Sequence, residues 1–478
     1  MEEARKGKIS LGQKIAYGSG DMSVNILFAA ISFYLLYFFV NVGGLKAGLA
    51  SVVFIIARAW DAITDYLMGR IVDKTKFGKW GKRRVYMLFG AIPYGLSFIL
   101  LWLAPFGENA QIAKMIYYTL VYMLYNTVWT VVYIPYNALT ANMTDDYDER
   151  TSISGIRIAM ANVGMLLGAA VFALLADGTE SILYGALGSL SKAYAVASVI
   201  FGVLSSVIFF ICSLTVKERE DTSKENTQGF LVTLKELFKL KEFRNVIGTY
   251  LLSMVGFDII MSVFMFFIND TMGFGGGTMS MVFIATPLIC AILSSFIWVK
   301  ASEKFSKHKV YAVACVYMTL SLSLALFVPE NVVWSTVVMC VLAGLGMSAI
   351  QILPYASLPD VVEVDEYVNG VRREGAFYGI TQFMYKLASG IAVAVVSLVL
   401  ELFGYIESTD NTVIDQPHSA LVAIRVVLAV VPSVIFLVSV IFAYRANMGR
   451  ERFDKIKAEL AERKKAAEAT EESANENA

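Results

Sequence analysis

Three ionisable side chains, Arg58, Asp61 and Asp65, fall inside one apolar run, IIARAWDAITDYLMGR. Their i, i+3, i+7 spacing sets all three on one face of a helix. At the centre of a bilayer such a group costs roughly 2.5–3.5 kcal/mol on insertion scales, so each needs a reason. Two carboxylates one turn apart offer the hard oxygen ligands a small cation takes. These three side chains carry one more negative than positive charge, which one bound Na+ or H+ cancels. The other reading is an ion-pair network that locks the helix to a neighbour, with Arg58 its structural member.

Other polar groups sit in comparable runs. Tyr17, Asp21 and Asn25 form a stripe at i, i+4 and i+8, with Phe28 beyond. Carboxylate and amide groups on such a face suit hydroxyl recognition, or they glue helices together. YNTVWTVVYIPYNAL brings Trp129, Thr130, Tyr133 and Asn137 near the helix breaker Pro135. These rings can stack on a sugar's CH face or simply pack. Arg157 and Lys386 are isolated cations that each require a carboxylate or ligand partner, and Lys386 can pair with an aspartate of the first half. Asp258 is a lone carboxylate, suited equally to an interhelical hydrogen bond or to a site. Arg425 lies close enough to a helix end to snorkel.

The elements that must position these groups are membrane helices. The chain has 478 residues, 57% hydrophobic and 17% charged, with the apolar excess running along nearly its whole length. A spanning helix needs about 20 apolar residues, and the sequence predicts twelve: 15–40, 47–69, 85–104, 112–140, 153–176, 190–216, 243–268, 278–299, 309–328, 332–355, 376–402 and 420–444. The polar stretch after the sixth divides the chain into a bundle at 1–216, a central loop at 217–242, a second bundle at 243–445 and a tail at 446–478. The tail reads as a basic helix followed by disorder. Six plus six spans point to an all-α transporter built from two pseudo-symmetric bundles, with its site between them.

Of the 40 lysines and arginines, 33 lie at the termini and in or at the edges of the loops on their side, and 3 in or at the edges of the opposite loops. By the positive-inside rule both termini are cytoplasmic, and the N-terminal leader is retained ahead of the first span. The net charge of zero excludes a basic nucleic-acid binder. Cys212, Cys290, Cys315 and Cys340 show no metal or disulfide spacing. No nucleophile–base pair is evident, and His308 and His418 sit at loops, so an enzyme is not expected. Nor is a cofactor expected beyond a coupling ion. A scaffold or sensor would not need the paired aspartates. An exporter or lipid carrier on the same scaffold would call for a largely apolar cavity.

The segments YGSGDMSVN, ARAWDAITDYLMGRIVD and PDVVEVDEYVNGVRREGAFYGITQFMYK, with GRIVDKTKFGKWGKRR after span 2, resemble the glycoside–pentoside–hexuronide:cation symporters. That branch of the major facilitator superfamily contains the melibiose carrier, and the resemblance covers all twelve spans. It implies a monomeric symporter of the cell (inner) membrane that carries a small sugar or glycoside inward with a monovalent cation. Asp61 and Asp65 match the family's cation-binding aspartates, with Na+ as the metal if coupling is to sodium, and Thr130 matches a further ligand. Asn25 falls at a sugar-binding aspartate, while Arg157 and Lys386 match charged residues lining the sugar site. The chain departs where Thr64 replaces an asparagine beside the cation. Tyr133 replaces a sugar-binding aspartate, and Asn137 and Gln351 replace cavity tryptophans. Tyr66 stands in place of a common proline. Asp21 with Asn25 looks more like the pentoside and glucuronide branch. Asp73 and Arg83 of the loop 2–3 motif, with Asp360, Glu363, Arg372 and Glu374 of the acidic-basic run, are expected to form the cytoplasmic gate. The alternative is that they are ordinary juxtamembrane anchors.

Overall fold

The structure is a computed structural model that describes residues 10–75, 78–107, 109–143, 147–216, 218, 230–274, 277–369, 374–407, 415–446 and 459. Twelve long helices follow the predicted spans. They are α1 (Leu11–Tyr37), α2 (Ala47–Lys74), α3 (Arg84–Leu101), α4 (Gln111–Met143), α5 (Tyr147–Leu166) and α6 (Leu190–Thr215). The second set is α7 (Lys241–Phe266), α8 (Gly277–Lys304), α9 (Lys307–Ser323), α10 (Val333–Tyr355), α11 (Glu374–Leu402) and α12 (His418–Arg445). Among the described residues, eleven helical stretches are long and apolar enough to cross a membrane. The exception is α4, whose tyrosines, Asn126, Thr127 and Thr130 lower its hydropathy. This span, rich in hydroxyl and amide side chains, is the one that faces both charged clusters described below.

Packing repeats between the halves. In the first, α1 lies on α5 and α6, α2 on α4, and α3 on α4 and α6. In the second, α7 lies on α11 and α12, α8 on α10, and α9 on α10 and α12. The halves meet where α2 crosses α11, α1 faces α7 and α8 meets the end of the fifth span. Close approach of α1 and α5 rests on Gly164 and Gly168, four residues apart, whose missing side chains leave room for the backbone at Met22 and Ile26. Small residues at this spacing are the usual route to tight contact in lipid, where apolar burial alone gives little drive. This contact carries Asp21 up to Arg157.

Three features were not expected. Spans 1, 5 and 7 pass into wider π turns at Phe38–Val42, Leu167–Val171 and Phe267–Thr271. The stretch after span 10 is not loop but a helix, Leu358–Asn369, that buries Leu358, Val361 and Val362 against Phe243 and Phe377. Helical spacing of those apolar residues was the available signal, masked by the charges between them. Arg425 has fixed partners at the end of span 9: its guanidinium donates to the carbonyls of Ala325 (2.9 Å) and Val328 (2.8 Å) and lies 3.5 Å from Glu330. Those carbonyls close the ninth span and would otherwise lack donors.

At the end opposite the termini the two halves are bonded together. Asp177, fully buried after span 5, accepts Asn269 Nδ2 of the second half at 3.1 Å, and its carbonyl accepts Gly277 N at 2.5 Å. Nearby, the single hydroxyl hydrogen of Tyr405 serves Asp270 Oδ2 at 2.7 Å or Asn41 Oδ1 at 3.0 Å. Ser397 donates to the Ala47 carbonyl at 2.6 Å. Toward the terminal face, Asn137 on α4 and Tyr355 on α10 are exposed.

Candidate functional site

Two charged clusters lie in the structure, joined by α4. In the first, Lys386 of α11 crosses to α2. Its ammonium stands 3.0 Å from Asp61 Oδ2 and makes a short hydrogen bond to Asp65 Oδ2. The Thr130 hydroxyl donates to Asp65 Oδ1 at 2.6 Å and lies 3.3 Å from Asp61 Oδ1. Thr64 instead turns its hydroxyl back onto the Asp61 carbonyl at 3.0 Å. Asp61 is 2% exposed and Lys386 6%. The negative charge that span 2 shows in excess is therefore answered by Lys386. Arg58 stays at the margin, 4.0 Å from Asp61 Oδ2 and 5.9 Å from the centre of the Tyr122 ring.

The second cluster is built on α1 and α5. Arg157 is not isolated. It grips Asp21 with both ends of its fork, Nε to Oδ2 at 2.5 Å and Nη2 to Oδ1 at 3.1 Å, and Nη2 also donates to Asn137 Oδ1 at 2.6 Å. Bidentate pairs of this kind fix direction as well as charge. The Tyr136 hydroxyl adds a contact to Asp21 Oδ2 at 2.7 Å, and Tyr17 donates to the Tyr136 carbonyl at 2.6 Å. Of the stripe on span 1, Tyr17 and Asp21 are thus engaged within the first half. Asn25 donates back to the Asp21 carbonyl at 2.8 Å.

Between the clusters runs a ladder of rings on one face of α4. Trp129 and Tyr133 have centroids 4.5 Å apart, and Tyr133 and Tyr136 6.1 Å. Each end is covered by a cation. Lys386 Nζ lies 4.2 Å above Trp129, and the Arg157 guanidinium lies 4.8 Å from Tyr136. Such contacts gain strength where water is scarce. The aromatic stripe therefore links the two charged centres, a relation that its sequence spacing alone does not disclose.

Remaining site expectations fall elsewhere. Gln351, half-buried on α10, makes no hydrogen bond among the described residues. Asp360 accepts Lys307 Nζ at 2.7 Å, a bond within the second half that ties the Leu358–Asn369 helix to α9. Glu363 Oε2 is buried with no hydrogen-bond partner among the described residues. Arg83 meets Glu218, which accepts from the Arg83 and Arg84 backbone nitrogens at 2.9 and 3.2 Å and so caps α3. The Asp73 and Glu374 side chains, Arg372, and nearly all of the tail lie outside the described residues. Sequence reasoning missed Asp177, Asn269, Asp270 and Tyr405, because residues at span ends carry no penalty that singles them out.

The family described as MFS/sugar transport protein matches residues 16–450. The chain is 28% identical to the uncharacterized symporter YnaJ of Bacillus subtilis, over 96% of each chain. It is 24% identical to the sodium-dependent lysophosphatidylcholine symporter 1 of Xenopus tropicalis, over 91% of this chain and 87% of that one. Among solved structures, an inward-facing, occupied bacterial homolog of the human lysosomal transporter Spinster superposes with a TM-score of 0.66 over 93% of this chain and 97% of that one. At 12% identity that likeness concerns the fold alone. The chain belongs to the MFS/sugar transport protein family, and it is a multi-pass, all-α membrane transporter of the major facilitator fold, not an enzyme.

Proposed function

We propose that the protein carries a glycoside, pentoside or hexuronide into the cell together with Na+ or H+ by alternating access, as a monomer with both termini in the cytoplasm. The observation that carries this reading is the Lys386 ammonium clamped between Asp61 and Asp65 across the two halves. The carboxylates and the Thr130 hydroxyl are hard oxygen donors suited to a small monovalent cation. A cation that takes the ammonium's place releases Lys386 toward a substrate hydroxyl and loosens the α2–α11 contact. Ion arrival and bundle motion are then one event. Arg157, held in direction by Asp21 and Asn137, presents donors to sugar oxygens, and the Trp129–Tyr133 rings offer a face to sugar CH groups. A potential of 100 mV contributes about 2.3 kcal/mol per charge, enough for roughly 50-fold accumulation. Asp73, Arg83, Asp360, Glu363, Arg372 and Glu374 are assigned to the cytoplasmic gate on sequence grounds.

A second reading, an amphiphile or lipid carrier, is favoured by one observation. An apolar pocket with about 560 Å³ of empty space lies among α7, α8, α9, α10 and Phe33, walled by Phe257, Phe264, Met318 and Met339. One assay separates the two readings. Proteoliposomes are offered xylosides, glucosides, galactosides, glucuronides and lysophosphatidylcholine under an imposed Na+ or H+ gradient. Gradient-driven uptake of one sugar class, abolished by Asp61→Asn, is expected. Movement of the lipid alone, or full concentrative uptake by Asp61→Asn, overturns the glycoside or the cation assignment respectively.

A further inference from the structure

Just beyond the Lys386 clamp, toward the bonded end, lies a second cavity of about 370 Å³ between the two halves. Arg58 and Tyr122 face it from the first half, and Asp258, Ser262 and Ser389 from the second. Two buried polar atoms there, Arg58 Nε and Asp258 Oδ2, lack hydrogen-bond partners among the described residues. Asp258 is 7% exposed; its other oxygen receives a long contact from the Tyr385 hydroxyl, at 3.3 Å, and the Ser389 hydroxyl also acts on its carboxylate. Arg58 is held as loosely, 4.0 Å from Asp61. The Arg58 guanidinium, which makes no hydrogen bond among the described residues, thus shares this region with two carboxylates, Asp61 of the clamp and Asp258 across the cavity.

The charges make the arrangement asymmetric. Asp61, Asp65 and Asp258 supply three negative charges, against two positive charges from Arg58 and Lys386. One monovalent cation completes the set. Its place is on Asp61 and Asp65, where Arg58 competes with it for Asp61. That competition is relieved only if Arg58 has another carboxylate to lean on, and Asp258 is the one that shares its cavity.

We propose that Asp258 is a positioning residue for coupling, the counter-charge that draws Arg58 away from Asp61 when the driving cation binds. The proposal rests on the cation reading above. Arg58 is the moving part, swinging across the cavity between one half of the molecule and the other. Arg58 and Asp258 then attract each other only while the ion is bound, so the loaded carrier gains a link between its halves that the empty carrier lacks. A neutral residue at 258 leaves Arg58 on Asp61 and weakens cation binding. Couplings of this type are worth roughly 5–150-fold in affinity.

The test needs no knowledge of the sugar. Trp129, in contact with the Lys386 ammonium, reports displacement of that ammonium through its fluorescence. Purified full-length protein in detergent is titrated with NaCl, with choline chloride as the control, and in a separate arm with acid. Trp129→Phe identifies the signal. The native protein is expected to respond to one of the two cations, and a silent native protein defeats the cation reading itself. Given a response, Asp258→Asn is expected to move its midpoint about tenfold toward higher concentration, and Asp258→Glu to restore it. Arg58→Gln/Asp258→Asn, which removes the competitor with its counter-charge, is expected to bring the midpoint back to within about threefold of native. A native midpoint in Asp258→Asn overturns the proposal. So does a double variant as weak as Asp258→Asn, which would make Asp258 merely structural.

Discussion

Lys386 Nζ lies 3.0 Å from Asp61 Oδ2, an ion pair between the eleventh span and the second that joins the two halves of the molecule at the candidate cation site. Its second carboxylate, Asp65, is shared with Thr130. The position that a soluble cation would take is thus held by one fixed to the protein.

Replacing that tethered charge should make the soluble ion matter more. Lys386→Gln leaves buried Asp61 and half-buried Asp65 without their ammonium, with only Arg58 at 4.0 Å from Asp61 Oδ2, and breaking one side of a buried pair costs about 3–5 kcal/mol. Thermal unfolding of the purified variant should fall in choline chloride and be rescued by NaCl or by acid more strongly than in the native protein. An equal response in both proteins would mean that ammonium and ion do not compete.

Arg157→Lys tests the second cluster. The ammonium keeps the charge but cannot reproduce the fork that holds both Asp21 oxygens and Asn137. Substrate uptake should fall about 100-fold, an amount of about 2.7 kcal/mol, while the cation response of Trp129 stays at the native midpoint. Native uptake would remove Arg157 from the substrate path.

Span 11 approaches span 2 at Gly390, where a Cβ atom would lie 2.6 Å from Arg58 Cβ. Overpacking there costs about 1–3 kcal/mol and forces α2 and α11 apart. Gly390→Val should lower the unfolding temperature by several degrees and abolish cation-dependent uptake, with Gly390→Ala intermediate. Two variants with native stability and coupling would show that this contact is not needed.

The seal at Asp177 should depend on pH. Burial pushes this carboxyl above the usual range, and hydrogen bonds from Ser280, Asn269 and Tyr194 pull it part of the way back. A raised value means that the closed, dry state holds the proton more tightly than the opened, wet one. Its contribution to closure is therefore present in acid and lost as pH rises through the raised value. Spin labels at Lys192→Cys and His418→Cys, one on each half, should report longer distances with rising pH, and Asp177→Asn should flatten the profile. An unchanged slope in Asp177→Asn would assign the effect to another group.

Much of this architecture was legible in the sequence because lipid imposes a length and a hydropathy on every crossing. The twelve spans and the intramembrane charges at 58, 61, 65, 157 and 386 follow from that cost. Pairing does not. The sequence allowed Lys386 an aspartate partner in the first half, but nothing in residue spacing says which aspartate it meets or that Arg157 takes Asp21, since both depend on how separate helices pack. Arg425 shows the same limit: its partners are carbonyls at the end of another helix, and a carbonyl carries no sequence signature. The π turns were equally hidden, because a widened turn leaves the apolar pattern of its helix almost intact.

Those turns bear on how the protein opens. Asn41 and Asp270 stand in the π turns that end the first helix of each half, and the single hydroxyl of Tyr405 reaches both. One hydrogen cannot serve two acceptors at once, so the Tyr405 hydroxyl fastens one π turn or the other at a time. A broad apolar seam would have to be dewetted and rebuilt on every turnover. A toggling hydroxyl set between two widened helix ends can let go and re-form within the rhythm of the transport cycle.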